Sequence, residues 1–321
     1  MASVVARIVD EGIRRGVDAK DLAAIVGPRE RLVADARVPI DATYRCFAHC
    51  LETTRDGAFP IHVARSVSLE DYSVLGFASM TSPNAEIVFE RMARYGHLIS
   101  DSGAWHMKRT PTKLELSWVR AGKRTLGHRA ANECAVAEIV GGLRAGFGAQ
   151  LAPTRIHFVH SAPRDTKAHE EHFGTKVHWE STRDGVDLPV AFLAARPTGE
   201  NPALSRYFEE VLERRAKARA TCTDRVRAAL VESLSSGPPQ AAKLAKDLGM
   251  SERSLRRALA DEGTTYRALL DDLRREAALE LLEGKRTVTE TAFLLGFSET
   301  SALSRAFRRW YGTSTRGLGR G

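Results

Sequence analysis

Apolar positions recur at helical spacing early in the chain: Val4, Val5, Ile8, Val9 and Ile13, then Leu22, Ile25 and Val26. Pro28 and Pro39 punctuate the connections, so residues 1–70 read as helices throughout. From about 72 to 196 the pattern changes character repeatedly. Ile87–Ile99 and Asn132–Phe147 carry the helical period, and a short helix falls at Thr166–Phe173. Lys113–Val119 alternates, with Leu114, Leu116 and Trp118 on one face, as a half-buried strand does. Arg155–His160 and Lys176–Trp179 also read as strands. Pro202–Arg219 returns to helix and ends in the basic stretch Arg214, Arg215, Lys217, Arg219. These elements predict an α+β sensor domain over residues 1–215 and a linker over 216–223.

Residues 224–321 predict an all-α domain. Asp224–Leu234 is one helix, stopped by Ser235-Ser236-Gly237-Pro238-Pro239. An internal repeat follows. Ala245-Lys246-Asp247-Leu248-Gly249-Met250-Ser251-Glu252 matches Ala292-Phe293-Leu294-Leu295-Gly296-Phe297-Ser298-Glu299 at one fixed offset. Each shared residue has a use in a helix-turn-helix. Ala lets two helices cross closely, Leu packs between them, and Gly takes a left-handed turn that a Cβ would oppose. Ser then caps the incoming helix, the one offered to a major groove. In the first unit Leu255 and Leu259 face inward, which leaves Arg253, Arg256 and Arg257 outside. In the second, Leu303 and Phe307 face inward, with Thr300, Ser301, Ser304, Arg305, Arg308 and Arg309 on the outer face. Arginine reaches guanine through two hydrogen bonds and also holds phosphate. Tyr266, Leu269, Leu270, Leu273, Ala277 and Leu281 predict one long helix over Thr265–Glu283 that joins the units, capped by Thr264 or Thr265 and ended at Gly284.

On these residues, and on the tail Phe307-Arg308-Arg309-Trp310 with Gly312-Thr313-Ser314, the segment 224–314 resembles the DNA-binding domain of the AraC/XylS family of bacterial transcription activators. Residue matching carries the family's base-reading positions onto Arg253, Arg256 and Arg257, and onto Thr300, Ser301 and Arg305. Thr315 stands where the family usually has Pro, and Arg316–Gly321 follows it. Residues 1–215 resemble the subgroup whose large effector domain is named for arabinose binding. The matching segments are Leu75-Gly76-Phe77-Ala78 with Thr81-Ser82-Pro83, Arg94-Tyr95, Ile156-His157-Phe158 with His160, Ala162 and Pro163, and Phe173-Gly174.

Charge adds to this picture. The formal net charge is +8, and excess Lys and Arg neutralise phosphates. No apolar run reaches the 18 residues that a membrane helix needs. The first ten residues lack the basic start and apolar stretch of a secretion signal, which predicts a cytoplasmic protein. Four scattered cysteines (Cys46, Cys50, Cys134, Cys222) then read as reduced thiols, with Cys46 and Cys50 on one core face of a helix.

Other groupings read as structural. His157 and His160 fall on opposite faces of a strand, and His169-Glu170-Glu171-His172 is one residue short of the zinc-protease spacing, so no metal is expected. Gly141–Gly148 lacks the Lys and Ser/Thr of a phosphate loop. Asp21–Pro28 loosely resembles another helix-turn-helix, without a basic helix behind it. The reading as a whole is a transcription regulator, an activator, with no cofactor and no catalytic residues. Its expected partners are double-stranded promoter DNA, RNA polymerase, a small-molecule effector and a second copy of the chain, but no membrane. Arg94, Tyr95, His97, Trp118 and His160 are the candidates for lining an effector pocket, with Trp105 and Trp179 near them. Two rivals remain at this point: an enzyme domain fused to a DNA-binding module, and an N-terminal domain that only oligomerises.

Overall fold

In the computed structural model, which describes residues 2–33, 36–234, 240–284 and 286–315, the amphipathic start becomes four helices. They are α1 (Ala2–Arg14), α2 (Ala19–Val26), α3 (Ile40–Thr54) and α4 (Phe59–Ser66). Val5, Ile8 and Val9 of α1 join Cys46, Phe47 and Cys50 of α3 in one core. Next come α5 (Ser73–Met80) and α6 (Ala85–Ile99), the first of which periodicity does not announce. The hairpin β1 (Gly103–Arg109) and β2 (Lys113–Arg120) leads into α7 (Leu126–Phe147). After α7 the chain forms β3 (Arg155–His157), α8 (Lys167–Phe173), β4 (Val177–His178), β5 (Asp184–Pro189) and α9 (Pro202–Arg219).

The five strands form one sheet in the order β1-β2-β5-β3-β4. Leu114, Leu116, Ile156, Val186 and Leu188 put their side chains into the core, as the alternation in β2 predicts. The strand expected over Arg155–His160 stops at His157. Beyond it, Val159 donates its N–H to Asp184 Oδ1 (2.8 Å) rather than to a neighbouring strand. β5 is buried along most of its length despite its two carboxylates. Asp184 also accepts from Asn132, and Asp187 from Arg183 and from Lys113 Nζ (3.1 Å). These cationic partners hold the Asp187 carboxyl below the usual range, against the opposing effect of burial.

Helix α7 runs so close to α3 that a Cβ on Gly127 would stand 1.8 Å from the Tyr44 carbonyl oxygen. A Gly127→Ala substitution must therefore push two buried helices apart. It is expected to cost about 1–3 kcal/mol, seen by calorimetry as a lower unfolding midpoint. An unchanged midpoint would mean that this contact is not a tight one.

Two units divide the chain, residues 1–217 and 218–321. The boundary falls inside the linker expected over 216–223, where α9 continues through Arg219 and α10 (Cys222–Ser233) follows after Ala220 and Thr221. Nothing in Ala216-Lys217-Ala218-Arg219 opposes a helix, and the next start is set by Thr221, which accepts from Asp224 N–H in a capping box. The Ser235–Pro239 helix stop and the Arg316–Gly321 tail lie outside the described residues. The second unit continues with α11 (Ala241–Asp247), α12 (Glu252–Asp261), α13 (Tyr266–Glu283), α14 (Val288–Leu294) and α15 (Thr300–Tyr311). It holds two small cores. Leu269 and Leu273, from the first half of α13, pack with Leu244, Leu255 and Leu259. Ala278 and Leu282, from its second half, pack with Ala292, Leu295, Leu303 and Phe307. No described helix is long and apolar enough to cross a membrane.

Candidate nucleic-acid interface and ligand cavity

The repeat becomes the same turn twice. Gly249 and Gly296 have φ of 71° and 65°, the left-handed region that an L side chain resists. Met250 N–H closes onto Ala245 C=O (2.8 Å) and Phe297 N–H onto Ala292 C=O (3.0 Å). At the next position the units diverge. Ser251 caps α12 by accepting from Ser254 N–H (3.1 Å). Ser298 does not cap α15, whose N-cap is Glu299 without a side-chain cap bond. The Glu299 carboxylate instead accepts from the Ser301 hydroxyl and from Arg305 Nη2 (3.1 Å), and these contacts lower its pKa.

Arg253, Arg256 and Arg257 are all exposed on α12. Arg256 is ion-paired with Glu252 one turn earlier. Arg253 and Arg257 have no carboxylate within ion-pair distance among the described residues. On α15, Thr300, Ser301, Arg305, Arg308 and Arg309 are exposed, and Ser304 is half-buried. Arg309 Nη2 donates to Asp271 of α13 (2.8 Å), whose Oδ2 also accepts from Trp310 Nε1 (2.9 Å). Both arginine faces therefore stand clear of their cores, each on a helix docked by buried leucines.

One residue that the sequence reading passed over holds the second unit together. Arg274 of α13 donates from Nε to Leu295 C=O (2.9 Å) and from Nη2 to Gly296 C=O (2.7 Å). Its guanidinium also lies 4.4 Å from the Phe297 ring centroid. The turn between α14 and α15 is thus clamped from the joining helix. The available signal was a cation beside the apolar stripe of α13, directly after Leu273.

The first unit holds a partly open cavity of about 280 Å³ among α1, α3, α5, α6, α7 and the β1–β2 hairpin. Of the five residues expected to line a pocket, His97 and Trp118 do so. Arg94, Tyr95 and His160 do not, which corrects that grouping. Tyr95 is buried against another core, where its hydroxyl donates to Glu209 Oε1 (2.6 Å) in α9, and Arg94 Nη1 lies 3.6 Å from the same carboxylate. Arg91, one turn earlier, ties α6 to Glu209 (2.6 Å) and Ser205. His160 sits beyond β3, with Nε2 3.1 Å from Glu133 Oε1 and its ring against Phe158 and Trp179. Burial holds His160 below the ordinary histidine range. The remaining histidines of the two His-x-x-His pairs have protein partners: His157 meets Ser181 Oγ (3.0 Å), His169 Glu133 (2.8 Å) and His172 the Ala137 carbonyl (3.0 Å).

The cavity's charged lining residues were not singled out from sequence. Arg120, at the end of β2, donates to Asn132 Oδ1 (2.7 Å) and Ala131 C=O (2.9 Å), and its guanidinium lies 5.1 Å from the Trp118 ring. Glu138 of α7 accepts from the Tyr72 hydroxyl and from Cys134 Sγ (2.9 Å). Burial pushes the Glu138 carboxyl up, against the lowering effect of those two donors. A carboxylate inside Val136-Ala137-Glu138-Ile139-Val140 was a legible anomaly.

Comparison with known proteins gives this geometry its setting. The model of the arabinose-binding domain of AraC transcription regulators matches residues 16–197, and a helix-turn-helix model matches 244–320. The chain is 27% identical to the ornithine utilization regulator of Pseudomonas aeruginosa, over 84% of this chain and 79% of that one. It is 33% identical to the regulator VirS of Mycobacterium tuberculosis, over 53% of this chain and 50% of that one. The solved structure of the transcriptional regulator CdpR from Pseudomonas aeruginosa aligns over 94% of this chain and 96% of its own, with TM-score 0.47 and 23% identity. The two family matches fall in order on the two units, and the chain belongs to the AraC family of DNA-binding transcription regulators, with an arabinose-binding-type N-terminal domain.

Proposed function

We propose that an effector held in the N-terminal cavity controls how α12 and α15 engage promoter DNA. The observation that carries this reading is a partly open cavity of about 280 Å³ in the same chain as two exposed arginine faces. Arg253, Arg256 and Arg257 would read one major-groove segment. Thr300, Ser301, Ser304, Arg305, Arg308 and Arg309 would engage the next, by base or phosphate contact. The regulator works in the cytoplasm as a homodimer, and as an activator it contacts RNA polymerase from its DNA-bound unit. Residues 1–215 form the effector and dimerisation part, and residues 224–321 form the DNA-binding part.

The test is occupancy. Full-length protein on its own promoter should show a changed Kd when small molecules extracted from its host are added. No change with any fraction of the extract sinks effector control.

Base reading by α12 is testable separately. Arg257, which has no acidic partner to leave among the described residues, is the cleanest probe. Arg257→Ala should cost about 1–3 kcal/mol on the natural site and flatten preference at one base position. Arg256→Ala should behave similarly, less whatever it costs to part from Glu252. Equal losses on natural and random DNA would instead assign both arginines to phosphate.

A further inference from the structure

The cavity's lining identifies the kind of molecule it can hold, an inference that rests on the effector reading above. We propose that the effector is an apolar monocarboxylate of roughly ten non-hydrogen atoms, with its carboxylate on Arg120 and its body along the apolar walls. At about 280 Å³ the cavity far exceeds the roughly 10–15 Å³ that a single water needs, so it has room for a ligand of this size. Most of the lining surface is apolar, with Val5, Ile8, Phe47, Met92, Ile139 and Phe147 among its residues, and it stabilises an apolar body.

A sugar fits this lining poorly. Each of its hydroxyls would need a partner, because an unpaired buried polar group costs about 1–3 kcal/mol. Several of the cavity's hydroxyls already donate inside the protein: Tyr72 to Glu138, Tyr44 to Ala121 C=O (2.6 Å), and Ser79 to Leu75 C=O (2.8 Å). Ser100 donates to Ser102 Oγ (2.8 Å). An amine fares no better. Burial favours the neutral form of Glu138, which already accepts from Tyr72 and Cys134, and Asp101 is ion-paired with Arg37.

Arg120 differs from all of these. The partners of its Nε and Nη2 are neutral, the Asn132 amide oxygen and the Ala131 carbonyl, and no carboxylate lies within ion-pair distance of it among the described residues. Its guanidinium lies near the Trp118 and Tyr44 rings, at 5.1 and 5.8 Å from their centroids. Asn132 in turn donates to Asp184 Oδ2 (2.7 Å), which fixes the amide and so the orientation of the guanidinium. A cation held in place between aromatic rings, with neutral hydrogen-bond partners, favours an incoming carboxylate, which a guanidinium binds through two parallel hydrogen bonds.

The probes are octanoate, 1-octanol, octylamine and L-arabinose, titrated calorimetrically into the full-length protein. Octanoate should bind at least tenfold tighter than octanol, with octylamine and arabinose weaker still. Arg120→Gln should bring the octanoate-to-octanol ratio close to one, and Arg120→Lys should restore part of it. A merely structural arginine would weaken both probes alike. Ala135→Leu adds volume to the cavity wall and should abolish binding of both.

Octanoate that fails to bind, or binds no tighter than octanol, overturns the proposal. So does a ratio that Arg120→Gln leaves intact, or octanoate binding that survives Ala135→Leu. Tighter binding of a neutral or cationic probe, lost in Ala135→Leu, removes the carboxylate and leaves effector control standing. If Ala135→Leu still answers host extract like the natural protein, the cavity itself is not the regulatory site.

Discussion

Inserting five base pairs between the two boxes of the operator is expected to reduce affinity to that of a single helix-turn-helix unit, a loss of about 10²–10⁴-fold. The reason lies in α13. Its 18 residues span about 27 Å at 1.5 Å per residue. Leu269 and Leu273 belong to the first core, while Ala278 and Leu282 belong to the second. The helix is therefore built into both units, and rotating one against the other would break buried packing. The recognition helices should meet two differently sequenced boxes about 10 base pairs apart, near 34 Å, on one face of the duplex. A half-turn insertion carries the second box to the far side, where a rigid joining helix cannot follow. Footprints on the natural and lengthened sites at equal salt decide the matter. Protection of both boxes on the lengthened site would show that the units move independently. A Gly pair at Leu273 and Arg274 should relax the spacing rule, although it also removes the arginine clamp.

The same rigidity explains what was legible beforehand. A helix-turn-helix is a local object: Ala, Leu, Gly and Ser occur within seven residues and repeat, so the turn at Gly249 and Gly296 could be placed from spacing alone. The cap at Ser298 could not, because whether a serine or its neighbour starts the helix depends on where Glu299 finds its partners. β1 and β5 stayed hidden for opposite reasons. β1 is an edge strand, mostly exposed, and its alternation is confined to Trp105 and Met107. β5 is buried, but carries Asp184 and Asp187, whose cost is offset by Asn132 and Lys113 from distant parts of the chain and by the neighbouring Arg183. The cavity was the least legible of all. Its walls come from residues scattered between Val4 and Phe147, each indistinguishable in sequence from ordinary core. Arg94 and Tyr95 looked like pocket residues because they pair a cation with a ring. They in fact tie α6 to α9 through Glu209.

The other large expected effect falls on Arg274. Arg274→Ala should destabilise the second helix-turn-helix unit by about 2–4 kcal/mol, since each hydrogen bond from a charged donor contributes about 1.5–3 kcal/mol. Two such bonds end on Leu295 and Gly296, the residues that make the turn. Their loss leaves two carbonyls without those donors and frees Phe297 from the guanidinium above it. Both carbonyls that the clamp holds belong to the second unit, so the damage should fall mainly there. Hydrogen exchange should quicken across α14 and α15 while α11 and α12 stay protected. Footprints should keep the first box and lose the second. Arg274→Lys is the informative control. It retains the charge but not the planar fork that reaches two carbonyls together, so it should recover less than half of the lost stability. Full recovery by lysine would mean that charge alone holds the turn. Unchanged exchange in the alanine variant would mean that Leu295, Leu303 and Phe307 hold the turn without the clamp. The half-turn insertion and this substitution bear on the same joining helix from opposite sides. The first displaces the DNA from a rigid pair of reading heads, and the second loosens one head while the DNA stays in place. If α13 is the coupling element, each perturbation alone should reduce binding to the first box, and combining them should cost little more than either one.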